Sequence, residues 1–184
     1  MKRATVPLLI IFFPLNLFLP GCWAWTTNIL RKKKLGGEHL IRAGKALQAA
    51  SECININYYA YPSLLREAGT ALKEAGEAWD DNWEAATYAL SDCSEQFYAL
   101  SQLQKLPVMQ KAYKGVSGEL ASVASFQSPS VSYSAPSLAN LSVYLNEAAI
   151  SSKESKDCKD SNKFCKSLKE ASQSIGRLAN EQNT

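Results

Sequence analysis

Between Leu65 and Leu100, apolar or small residues recur every three or four positions. They are Leu65, Ala68, Leu72, Ala75, Trp79, Trp83, Ala86, Leu90, Cys93, Phe97 and Leu100. Such spacing places them on one face of a helix. Within this stretch Leu65–Ala71 (LREAGTA) is followed at once by Leu72–Ala78 (LKEAGEA), a seven-residue repeat. Four further stripes have the same period. Leu40, Ala43, Leu47, Ala50 and Ile54 predict a helix over 38–57. Val108, Ala112, Val116, Leu120 and Val123 predict one over 108–124. Leu138, Leu141, Leu145 and Ala148 predict one over 138–156, and Phe164, Leu168, Ala171, Ile175 and Leu178 one over 161–180. The fold class is therefore all-α, an antiparallel up-down bundle of five or six helices.

The punctuation supports this division. Pro62 biases Tyr61 away from helix, and Ser63 is a natural N-cap. Pro107 separates two helices. Residues 125–137 (SFQSPSVSYSAPS) form a Ser/Pro loop too long for a tight turn. Asp160 or Ser161 can cap the last helix. One boundary stays open. Residues 63–105 read either as one rod of about 64 Å or as a hairpin broken at Asp80-Asp81-Asn82. Those residues favour turns and caps, and Asp81 with Glu84 resembles a capping box.

The N-terminus changes the picture from a plain bundle to an exported one. Lys2 and Arg3 precede an apolar stretch, Val6 to Leu19, that ends in Leu19-Pro20-Gly21-Cys22. This has the anatomy of an export leader and is shorter than the ~20 residues of a spanning helix. The LPGC run resembles the lipobox of bacterial lipoproteins. The resemblance implies a signal peptide over 1–21, a diacylated Cys22 as first mature residue and a cell-envelope location, anchored to the outer membrane or periplasmic. Ordinary secretion with cleavage after Ala24, or an uncleaved anchor, are the alternatives. Residues 22–37 then read as a tether, with Trp23 and Trp25 suited to a membrane interface and Arg31–Lys34 to anionic headgroups. Gly36-Gly37 reads as a flexible break. Residues 38–184 form the bundle domain.

Cys22 set aside, four cysteines remain: Cys53, Cys93, Cys158 and Cys165. An even count in an exported chain favours two disulfides. If the long stripe folds back at Asp80–Asn82, Cys53 and Cys93 come to a similar height. Cys158 and Cys165 straddle the last turn. The expected pairs are Cys53–Cys93 and Cys158–Cys165.

Charge and composition narrow the chemistry. The net charge of +3 over 184 residues does not suggest a nucleic-acid partner. Residues 31–45 are basic and 63–105 acidic. His39 is the only histidine, which works against a multi-His metal site. No Walker loop, GxGxxG or HExxH occurs. Asp80, Asp81 and Glu84 read as a helix-start cluster favouring the dipole. No catalytic residue, metal ligand or cofactor is assigned. The remaining lead is aromatic: Tyr58, Tyr59, Tyr61, Trp79 and Trp83 are candidates for a protein interface. The expected function is a membrane-tethered, envelope-facing binding or adaptor protein without catalysis, with an unidentified protein partner. The alternative is a secreted inhibitor or small-ligand carrier that uses the bundle interior.

Overall fold

The computed structural model describes residues 20–55, 60–126, 134–154 and 158–182. Among them are six α-helices: α1 (Pro20–Ser51), α2 (Ala60–Ala78), α3 (Trp83–Leu103), α4 (Pro107–Ala124), α5 (Ser134–Ser151) and α6 (Ser161–Gln182). A single 3₁₀ turn, Ser152–Glu154, follows α5. Each helix packs on the next in sequence, and α1 also packs on α6. The six therefore close into an up-down ring whose neighbours all run antiparallel.

Every stripe read from the sequence faces the core, with one exception. Met109, not Val108, starts the buried line of α4, and Val108 is 56% exposed. Both residues stand at helical spacing from Ala112, so periodicity alone does not separate them.

The long stripe is a hairpin. Asn82 stands at the bend, and its side-chain oxygen accepts the Ala85 N–H at 3.1 Å. The cap is thus Asn82 rather than Asp81. Trp79 and Trp83 hold the two arms together edge to face, with centroids 5.0 Å apart. At the other boundaries, α2 starts at Ala60, so Pro62 lies in its first turn. There a missing N–H costs nothing. Ser63 donates its hydroxyl to Glu67 at 2.8 Å instead of capping. Asp160 caps α6, accepting the Lys163 N–H at 2.9 Å.

The seven-residue repeat has a structural reason. Gly69 and Gly76 on α2 are seven apart, as are Gly37 and Gly44 on α1. They meet as reciprocal pairs, Gly44 with Gly69 and Gly37 with Gly76. A Cβ at Gly69 would lie 2.7 Å from the Gly44 carbonyl oxygen, and one at Gly76 would lie 2.5 Å from that of Gly37. Only glycine lets the two backbones approach this closely.

Other seams carry serine pins. Ser94 donates to the Ser117 carbonyl across α3–α4 at 2.8 Å. Ser142 and Ser172 each donate to the other's carbonyl across α5–α6, both at 2.8 Å.

The glycine register corrects two expectations. First, Gly36-Gly37 is no flexible break. Helix α1 runs through it unbroken, and Gly36 lies against Trp79. Since Gly37 faces Gly76, the end of α2 at Ala78 is level with about residue 35. The preceding part of α1, about fifteen residues or ~22 Å of helix, runs past that end. Residues 22–37 therefore lie within helix α1. Second, the same register puts Cys53 level with about residue 60, whereas the Cys93 thiol donates to the Ala68 carbonyl at 3.3 Å. Eight residues of α2 separate those levels, about 12 Å. None of Cys53, Cys93, Cys158 and Cys165 is disulfide-bonded in the structure. The shift arises because α1 ends at Ser51, so the connector is centred near 56 rather than 60.

Candidate interaction surface

The sequence singled out five aromatic residues for recognition. Tyr58 and Tyr59 lie outside the described residues. The other three serve packing. Trp79 is 1% exposed and among the largest fully buried side chains. Trp83 is half-buried and donates its indole N–H to the Phe126 carbonyl at 2.8 Å, tying α3 to the end of α4. Tyr61 is buried, and its hydroxyl is hydrogen-bonded to that of Tyr113 at 2.8 Å. Its ring also meets Tyr113 and Phe164 edge to face, each with centroids 6.3 Å apart. The Phe97 ring lies tilted against that of Tyr113, with centroids 5.6 Å apart. These rings fill the centre of the ring of helices. Burial pushes the Tyr113 phenol well above its ordinary range, against the opposing pull of the Tyr61 hydrogen bond.

Among the described residues the exposed large apolar side chains are Tyr88, Tyr98, Leu103, Val108, Val143 and Ile150, and three of them cluster at one end of the bundle. Leu103 (44% exposed), Val108 (56%) and Ile150 (54%) stand at the C-terminus of α3, the N-terminus of α4 and the C-terminus of α5. In an antiparallel ring those three ends come together, at the end opposite the start of α1. Pro107, Val108 and Ile150 line a groove of about 480 Å³ there, flanked by Lys111 and Glu147. The surface is thus an aliphatic patch with one charge of each sign at its edge. Such patches mark contact sites more often than exposed single residues do. In the sequence, Val108 and Ile150 carried no special signal. Ile150 falls just off its helix's buried line, Leu103 satisfies the spacing from Leu100 but yields the buried place to Gln104, and Val108 competes with Met109 in the same way.

The remaining candidates have local roles. His39 is buried, and its Nε2 lies 3.0 Å from Glu181 Oε1, linking α1 to the end of α6. That contact gives the only histidine a structural task. Asp80, Asp81 and Glu84 are exposed around the bend. Among the described residues no group of His, Cys, Asp and Glu is placed to hold a metal ion. No helix among them is long and apolar enough to cross a membrane. The backbone of Cys22 lies in the first turn of α1, and residues 1–19 of the expected 1–21 leader lie outside the described residues. The basic and acidic segments are neighbours as α1 and α2. Arg42–Glu38 (3.4 Å) and Lys73–Glu77 (3.3 Å) nevertheless pair within their own helices. Exposed pairs of this kind contribute little, about 0.3–0.5 kcal/mol each.

No family model, curated protein or solved structure matches this chain.

Proposed function

We propose that the protein is a membrane-tethered, envelope-facing adaptor without catalytic activity, held by a lipidated Cys22 at one end and recognising a protein partner at the other. One observation carries this reading. Three of the four large exposed aliphatic residues among the described ones, Leu103, Val108 and Ile150, gather at the end opposite the start of α1, and Cys22 lies at that start. An anchor and a contact surface at opposite ends suit a protein that presents itself away from a membrane. The unbroken α1 supports the reading further, because a helix holds the bundle off a surface better than a loose linker does. The Arg31–Lys34 run on the same helix suits anionic headgroups near the anchor. The alternative, a carrier that uses the bundle interior, is disfavoured because Tyr61, Phe97, Tyr113 and Phe164 occupy that interior.

The anchor is tested on full-length protein extracted from cell membranes. Intact mass is expected to correspond to a chain beginning at Cys22 with a diacylglyceryl group. Cys22→Ser is expected to abolish that mass and the membrane retention. An unmodified, soluble product from the unaltered gene would overturn the tether.

A further inference from the structure

Helices α1 and α6 come from the two ends of the chain and form the seam of the ring that no connector closes. The seam runs from the His39–Glu181 pair at one end to the Lys159 N–H, which donates to the Cys53 carbonyl, at the other. Between those ends lies a surface groove of about 400 Å³. Its origin is local. Ala46 and Ala49 on α1 and Ser174 on α6 are too short to fill the space between the two helices.

Long cationic side chains form the walls. Arg42 and Lys45 line the groove from α1, and Arg177 lines it from α6. Because His39 is paired with Glu181 and the helices are antiparallel, Arg42 is level with about residue 178. The two arginines therefore stand at nearly the same height on opposite walls. Lys45 is one turn from Arg42, on the same face of α1. Three cations around one groove repel one another, and an anion between them turns that repulsion into attraction. The acids nearby compensate little. Arg42 reaches Glu38 at 3.4 Å, and Glu170, which lines the groove, lies 4.0 Å from Lys166. Both pairs are exposed and therefore weak. Among the described residues no acid lies within ion-pair distance of Lys45 or Arg177. The basic surface continues along α6, where Glu170 and Gln173 also line a second groove with Lys153, Lys166 and Lys169. Helix α3, opposite α6 in the ring, carries Glu84, Asp92 and Glu95 and no base. That polarity steers anions toward the α1–α6 side.

We propose that the α1–α6 groove binds a soluble phosphorylated ligand, with Arg42 and Arg177 holding a phosphate group between them. The planar guanidinium offers paired donors that match two phosphate oxygens. Lys45 adds a third charge, and Gln173 and Ser174 supply hydrogen-bond donors. The groove has the size of a small-molecule site, about 300–1,000 Å³, and the adjoining lysines take a second anionic group of the same ligand. The choice of a soluble ligand over a lipid headgroup rests on the tether proposed above. Arg42 stands ~30 Å along α1 from Cys22, out of reach of the headgroups of the membrane that holds Cys22.

The test titrates inorganic pyrophosphate into the purified full-length chain in a non-ionic detergent. Arginine Nε–H signals are followed by NMR and affinity by calorimetry. The signals of Arg42 and Arg177 are expected to shift together and saturate, while that of Arg66 on α2 stays in place. Arg177→Gln should weaken binding about tenfold and Lys45→Gln several-fold, with Lys114→Gln on α4 unchanged. All three side chains are exposed, so the variants should fold. The absence of saturable binding, an equal loss in Lys114→Gln, or equal affinity for citrate would overturn the phosphate site. In a second arm the chain is placed in vesicles of phosphatidylcholine alone or mixed with phosphatidylglycerol. Equal pyrophosphate affinity is expected in both, and a loss with phosphatidylglycerol would overturn the soluble ligand in favour of a headgroup. The first arm needs no lipidation, so failure of the tether leaves it readable, and failure of binding leaves the tether untouched.

Discussion

The two ends of the bundle use their apolar side chains in opposite ways. At the end where α1 begins, the large aromatic residues Trp79 and Trp83 turn inward and close the α2–α3 bend. At the other end, the smaller Leu103, Val108 and Ile150 are left in solvent, above a core already filled by Tyr61, Phe97, Tyr113 and Phe164. The difference teaches that residue type is a poor guide to recognition in a helical bundle. Tryptophan on an amphipathic stripe is a packing residue because it offers the most area to bury. Leu103, Val108 and Ile150 are exposed because they stand where the helix termini provide no neighbour.

The sharpest way to break this comparison is to remove the buried aromatic. Trp79→Ala is expected to destabilise the protein by about 3–5 kcal/mol, measured as a lowered urea midpoint. A change under about 1 kcal/mol would mean that Trp79 is not core. The glycine contacts beside it come next. Gly76→Ala sets a methyl 2.5 Å from the Gly37 carbonyl oxygen, and backbone cannot yield as a side chain does. A loss of about 1–3 kcal/mol is expected, despite alanine's higher helix propensity. An unchanged midpoint would show that α1 and α2 separate at little cost.

The core beneath the exposed end has its own signature in alkali. Burial pushes both the Cys93 thiol and the Tyr113 phenol up. The folded chain therefore keeps protons that the unfolded chain releases once pH passes the ordinary thiol range, near about 8.5. With fewer protons bound in the unfolded state, stability falls as pH rises. It should be fully present below about pH 8.5 and decline above it. Tyr113→Phe should make the decline shallower between pH 9 and 11 in urea titrations. Parallel declines in the two proteins would remove Tyr113 from the account. The smallest expected effect on stability is at the exposed end itself. Val108→Asp should change the midpoint by no more than about 0.5 kcal/mol. A loss like that of Trp79→Ala would place Val108 in the core.

Much of this fold was legible in the sequence. The helix stripes, the Pro107 boundary and the choice of Asp80–Asn82 as one of two readings all follow from period and turn chemistry. What was not legible depends on where helices stop and how deep each residue sits. Ending α1 at Ser51 rather than near residue 57 moved the level that Cys53 reaches on α2 by more than a helical turn, enough to separate it from Cys93. The repeat at 65–78 was visible, but its cause was not, since the matching glycines at 37 and 44 lie on another helix. The contact surface was the least legible part. Val108 and Met109 both satisfy the helical spacing, and only the packed ring shows which one is covered.

The central claim is that one end anchors and the opposite end recognises. Photocrosslinking of the full-length protein in its own membranes tests it most directly, with a photoreactive side chain placed in turn at positions 108, 150 and 81. The account predicts a common protein adduct from 108 and 150 and none from 81, on the acidic bend at the anchored end. An adduct from 81 alone, or no protein adduct from 108 and 150, would contradict it.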